Sequence, residues 1–118
     1  AYPHAVGFFR SDQGLDAPDM QLMLGPFAFA LTPQGVVPYM KPAVTAVLAL
    51  SYPKSKGRIS LRGPDPDLPP RIELSMLDHP DDIATLVRAL RVVREVFRQP
   101  AFARHSLGER IPGAEVDS

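Results

Sequence analysis

Pro80-Asp81-Asp82-Ile83-Ala84-Thr85-Leu86-Val87-Arg88-Ala89-Leu90-Arg91-Val92-Val93-Arg94-Glu95-Val96-Phe97-Arg98 is the stretch whose reading decides the fold. Ile83, Leu86, Val87, Leu90, Val93 and Phe97 recur at helical spacing and form one apolar stripe, which Val92 and Val96 widen on one side. Arg94 lies at the other edge, and Arg88, Arg91, Glu95 and Arg98 lie beyond it on the solvated face. Asp78 or His79 can cap the first N–H groups, Pro80 suits the first turn, and Asp81 and Asp82 complement the positive helix end. Pro100 stops the helix. A helix of this length is about 28 Å long at about 1.5 Å per residue, and it needs a sheet or other helices to cover its stripe.

The remainder of the chain reads as strands. Residues 4–10, His-Ala-Val-Gly-Phe-Phe-Arg, have strand-like composition, and Ser11-Asp12-Gln13-Gly14 closes them with turn chemistry. Residues 20–24 form a second run, in which a period of two places Gln21 and Met23 on one face and Met20, Leu22 and Leu24 on the other. Gly25-Pro26 breaks it, and residues 27–31 continue the strand or wall a loop. Residues 32–42, with three prolines, are expected to be an irregular excursion. Residues 44–52 are apolar on both faces, so both faces need cover. They are expected to form a hairpin with residues 58–62, where Ile59 and Leu61 point inward. Residues 71–74 are a short strand leading into the helix, and residues 101–104 are a helical turn followed by a polar tail.

These elements predict an α+β class: an antiparallel sheet of about four to six strands with one long amphipathic helix on one face. A length of 118 residues suits a single domain. With Lys+Arg and Asp+Glu balanced at 13 each, no basic footprint marks a nucleic-acid or anionic-membrane partner. There is no cysteine for a disulfide or a thiolate metal site. The lack of cysteine leaves the compartment open, with a cytoplasmic location expected as the best fit; no run reaches the roughly 20 apolar residues of a membrane span, and the plan of a signal peptide is absent. The 14 prolines separate apolar runs, which makes them turn and edge markers. One helix covers one side of the sheet; the other side requires a second subunit, a ligand or another domain.

The order of signals resembles a known family. Gly7-Phe8-Phe9-Arg10, Ala17-Pro18-Asp19-Met20-Gln21, Tyr52-Pro53-Lys54-Ser55-Lys56-Gly57-Arg58-Ile59-Ser60-Leu61, Asp65-Pro66 and Pro70-Arg71-Ile72, with Asp82 opening the helix, are similar to the substrate-binding part of the glucose-methanol-choline (GMC) flavoprotein oxidoreductases. The resemblance implies a parent enzyme that passes a hydride from an alcohol CH–OH group to FAD. In such enzymes a dinucleotide-binding domain pairs with a substrate domain whose sheet roofs the flavin while helices cover its back. It also implies that the chain, residues 1–118, is a single-domain fragment. The flavin-binding domain is expected to be missing, because no Gly-x-Gly-x-x-Gly turn is present. The catalytic His segment is expected to lie beyond Ser118.

Residue by residue, the sequence offers few chemical groups. His4, His79 and His105 read as strand end, helix cap and exposed tail, and they are too scattered for a metal site. Ser106 has no nucleophile-elbow context. Asp78, Asp81 and Asp82 are explained by their place at a helix start, and Arg94 by a stem lying on apolar surface with its charge in water. No catalytic, cofactor-binding or metal-binding residue is therefore expected. By the resemblance, Met23 occupies the place where choline-oxidising members carry a His facing the substrate. Alternation puts Gln21 and Gly25 on the same face, so Gln21, Met23 and Gly25 are the expected substrate-binding residues. The resulting expectation is a substrate-binding fragment of an FAD-dependent alcohol oxidoreductase, inactive alone and holding no cofactor itself. Its partners would be an alcohol and the missing flavin domain, and the fragment would self-associate. The alternative is a small non-enzymatic binding module that dimerises through its sheet.

Overall fold

The alternating run Met20–Gly25 becomes the middle strand of the largest sheet. The computed structural model describes residues 3–113 and 115–116. In it, β2 (Met20–Gly25) lies between β1 (Ala5–Phe9) and β5 (Thr45–Leu50), antiparallel to both. The β1–β2 connection is closed by the Asp19 carboxylate, which accepts from the Ser11 N–H at 2.7 Å and the Ser11 hydroxyl at 2.6 Å. The register sets Leu22 opposite Gly7 and Leu48, and Met23 opposite Val6 and Val47. One face therefore carries Met20, Leu22, Leu24, Leu48 and Leu50. Met20 is 0% exposed there, and the long helix packs along β5.

The expected α+β class holds, with the strands divided among one three-stranded sheet and two separate ribbons. Residues 32–42 are not an irregular excursion. β3 (Ala28–Thr32) and β4 (Gly35–Tyr39) form a hairpin, with Thr32 opposite Gly35 and the Thr32 hydroxyl donating to the Gly35 carbonyl at 2.9 Å. The prolines that suggested irregularity are tolerated. Pro33 lies in the turn, Gly35 takes the positive φ of 119° that the turn requires, and Pro38 sits on a strand paired on one side only.

The expected hairpin between residues 44–52 and 58–62 is also not formed. β6 (Arg58–Ser60) pairs instead with β7 (Arg71–Glu73), Ile59 opposite Ile72. The cause lies in the intervening turn, which is bound to the start of the helix. Beyond that turn, Gly57 passes so close to β7 that a Cβ would sit 2.5 Å from the Glu73 carbonyl oxygen. The ribbon is amphipathic: Glu73 bridges Arg58 and Arg71 on its polar side. Ile59 and Leu61, expected inward, are 72% and 85% exposed.

Helix α1 (Pro80–Arg98) has the bounds that its caps and period predict, with His79 Nδ1 accepting from the Asp81 N–H at 3.2 Å. A short α2 (Pro100–Ala103) follows, and Phe102 meets Phe97 edge-on with centroids 4.5 Å apart. The buried line of α1 runs through Asp82, Ala89 and Val93, rotated from the centre of the apolar stripe, and leaves Ile83, Val92 and Val96 exposed. Among the described residues no helix is long and apolar enough to cross a membrane.

Among the described residues, Met20, Ala89 and Val93 are the buried hydrophobic side chains. The accessible surface is 9318 Å², against about 6,300 Å² for a compact protein of this mass. The radius of gyration is 17.8 Å, where about 13.5 Å is typical of this length. With so few buried apolar groups, Met20→Ala is expected to cost about 2–5 kcal/mol, seen as a lower urea midpoint at unchanged m-value. Phe8→Ala, on the opposite face, should stay within about 0.5 kcal/mol.

Candidate functional site

The open face of the three-stranded sheet carries the residues singled out by sequence. Met23 lies between Val6 and Val47, Gln21 between Phe8 and Ala49, and Gly25 pairs with Thr45. Cross-strand partners share a face, so these side chains form one surface on the side away from Met20. Gln21 and Met23 are half-buried and Gly25 is buried. Val6 and Phe8 are 50% and 62% exposed. Gln21 and Thr45 are the side chains among these able both to donate and to accept, and none of them titrates. Such a face can orient a ligand and exclude water, but it cannot move a proton. Val6, Phe8, Val47 and Ala49 join it only through register, which alternation within one strand does not reveal.

A second polar centre ties the start of α1 to the loop at residues 52–57. Asp82 is 3% exposed. Its carboxylate accepts from the Lys54 N–H at 2.9 Å, the Ser55 N–H at 2.8 Å and the Ser55 hydroxyl. That hydroxyl in turn accepts from the His79 N–H at 3.0 Å, and Lys54 Nζ pairs with Asp81. The sequence reading made Asp82 a partner of its own helix end. Its hydrogen bonds run to the loop instead, so the Pro53-Lys54-Ser55-Lys56-Gly57 segment is held by a carboxylate 27 residues away. The Ser55 hydroxyl, then the Lys54 N–H, hold the Asp82 carboxyl below its ordinary range, and Lys54 does the same for Asp81.

The remaining candidates disperse. His79 caps α1 as expected, while His4 and His105 are exposed at opposite ends of the chain. The Ser106 hydroxyl accepts from the Gly108 N–H in a turn. Among the described residues no three His, Cys, Asp or Glu gather as metal ligands. Arg94 departs from its expected solvated position. Its side chain is 12% exposed and grips the Glu109 carboxylate through Nε at 2.8 Å and Nη2 at 2.9 Å. The sequence hid this pair because Glu109 lies in the apparently featureless tail.

The described residues do not fit the diphosphate of a dinucleotide. The N-terminus of α1 is taken by His79 and flanked by the carboxylates of Asp81 and Asp82, which repel an anion, and α2 has four residues.

Comparison with known proteins agrees with the motifs. The profile of the GMC oxidoreductase family matches residues 53–117, from the Asp82-bound loop through both helices. The chain belongs to the GMC oxidoreductase family. It is 32% identical over 114 residues to an oxygen-dependent choline dehydrogenase of Rhizobium etli, which covers 97% of this chain. It is 31% identical over 112 residues, 95% of this chain, to an alcohol dehydrogenase [acceptor] of Pseudomonas putida. A chloroplastic fatty acid photodecarboxylase of Chlamydomonas reinhardtii is 31% identical over 123 residues, covering 94% of the chain. The chain spans 20% of the length of each of these relatives.

The Asp82 centre sets a pH response. Its folded pKa lies below the unperturbed 3.8, so its stabilisation is complete above that value and is lost as pH falls through the lower, folded one. Thermal melts should therefore be level from neutral pH to about pH 5 and fall below about pH 4. Asp82→Asn should lower the melting temperature at pH 7 and flatten the acid limb.

Proposed function

We propose that this chain is a substrate-binding part of an FAD-dependent alcohol oxidoreductase, in which an alcohol CH–OH group gives a hydride to a flavin held by another part of the polypeptide. The observation that carries this reading is the open sheet face centred on Met23 in a chain of the GMC family. The names of the choline dehydrogenase and the alcohol dehydrogenase among its relatives support it. The residues of this chain bind and orient; proton and hydride chemistry belongs elsewhere, and the chain alone should not reduce a dye with alcohols.

Met23 offers a polarizable apolar contact where a His would place a directed hydrogen bond and a titratable charge. Val6, Phe8, Val47 and Ala49 extend that contact, and no carboxylate shares the face to meet a quaternary ammonium. The substrate is therefore an uncharged, apolar primary alcohol rather than choline. In the full-length enzyme, kcat/KM for a neutral alcohol should exceed that for choline of similar size. Met23→Ala should lower the neutral-alcohol value by about tenfold, since one lost apolar contact is worth about 1–3 kcal/mol of discrimination. A preference for choline would overturn the substrate assignment.

The surface excess also argues against a free-standing dimerising module. Roughly 3,000 Å² beyond a compact protein of this size is several times the approximately 800 Å² that each partner contributes to a standard interface. A neighbour larger than a second copy accounts for it. Isolated, the chain should nevertheless self-associate through the open face, and Phe8→Asp should shift it toward monomer. Sedimentation velocity across a concentration series checks this; a monomer at every concentration that binds no hydrophobic dye would contradict it.

A further inference from the structure

Residues 106–113, with 115 and 116, form a strap wound around one guanidinium. Besides its two bonds to Glu109, Arg94 Nη2 donates to the carbonyls of Gly113 at 3.0 Å and Val116 at 2.7 Å. The Val116 N–H closes the turn by donating to the Gly113 carbonyl at 3.1 Å. Gly108 and Gly113 take the positive φ values, 119° and 107°, that the winding needs. A planar fork can serve a carboxylate and two carbonyls at once, which a lysine ammonium cannot do with the same geometry.

The residue after Glu109 faces another element. Arg110 Cζ lies 4.1 Å from the centroid of the Tyr39 ring, in the β3–β4 hairpin. Among the described residues no strand or helix packs broadly on that hairpin. Leu31, Val36 and Val37 are exposed, and its base is held by the Thr45 hydroxyl donating to the Phe27 carbonyl at 2.6 Å. Two successive strap residues thus grip α1 on one side and the hairpin on the other.

We propose that Arg94 sets the position of the β3–β4 hairpin through the strap, Glu109 transmitting the hold of α1 and Arg110 passing it to Tyr39. The arm that continues from β2 beyond Met23 and Gly25 is then steadied from a helix position with which it shares no element. This coupling stands independently of the reaction assigned to the family member.

Amide hydrogen exchange on the 118-residue chain at neutral pH tests it, because local opening is read element by element. Arg110→Ala should speed exchange in β4 about fivefold, the scale of one exposed cation–π contact, and leave the strap, β2 and β5 unchanged. Arg110→Lys, which keeps a cation over the ring, should restore much of the protection. Glu109→Gln should speed exchange in both the strap and β4, with β2 and β5 unchanged. The proposal is overturned if Arg110→Ala leaves β4 as slow as before, or if Glu109→Gln frees the strap without the hairpin. It is equally overturned if Glu109→Gln leaves the strap protected, or loosens β2 and β5 as much as β4.

Discussion

One buried carboxylate organises the second half of the molecule. Asp82 leaves the outside of the α1 N-terminus and accepts two backbone N–H groups and a hydroxyl from Lys54 and Ser55. A buried carboxylate without such donors would be strongly disfavoured, so loop and helix must form together. The direction of the chain after Tyr52 follows from this. Held at Lys54 and Ser55, it cannot turn back along β5, and Gly57 carries it past the end of β7 where a side chain would collide. The separate β6–β7 ribbon is the result.

The sequence made the local structure legible and left the long-range structure hidden. Helix α1 has the bounds given by its apolar period, by His79 and Pro80, and by Pro100. Alternation correctly divided Met20 and Leu22 from Gln21 and Met23, because period two depends on one strand alone. Pairing depends on two. The partner of residues 58–60 was misread because Arg71–Glu73 is short and lies behind a long proline-rich turn, while residues 44–50 were nearer and more apolar. Val6 and Phe8 entered the candidate site only when the register was known. Arg94 was placed in solvent because a helical projection shows an edge position, not a carboxylate arriving from residue 109.

Amphipathicity was read correctly, but what it faces was not. Ile59 and Leu61 alternate as a half-buried strand should, and Ile83 belongs to a helical stripe, yet all three are exposed. Their pattern describes a layer that these residues do not themselves supply. The chain spans a fifth of its relatives' length, has a radius of gyration of 17.8 Å and leaves these apolar side chains facing solvent.

The pairing of Gly25 with Thr45 gives the hairpin an unusual freedom. Since β2 and β5 are already neighbours at that rung, everything between the two residues is an excursion leaving and re-entering the sheet at a single place. The closure entropy of such an excursion grows only slowly with its length. An arm grafted there can be lengthened, shortened or exchanged while the rungs from Met20 to Gly25 keep their register. The fold thereby separates the three-stranded sheet from the arm that interrupts it, so that the length of the arm and the register of the sheet are independent of one another.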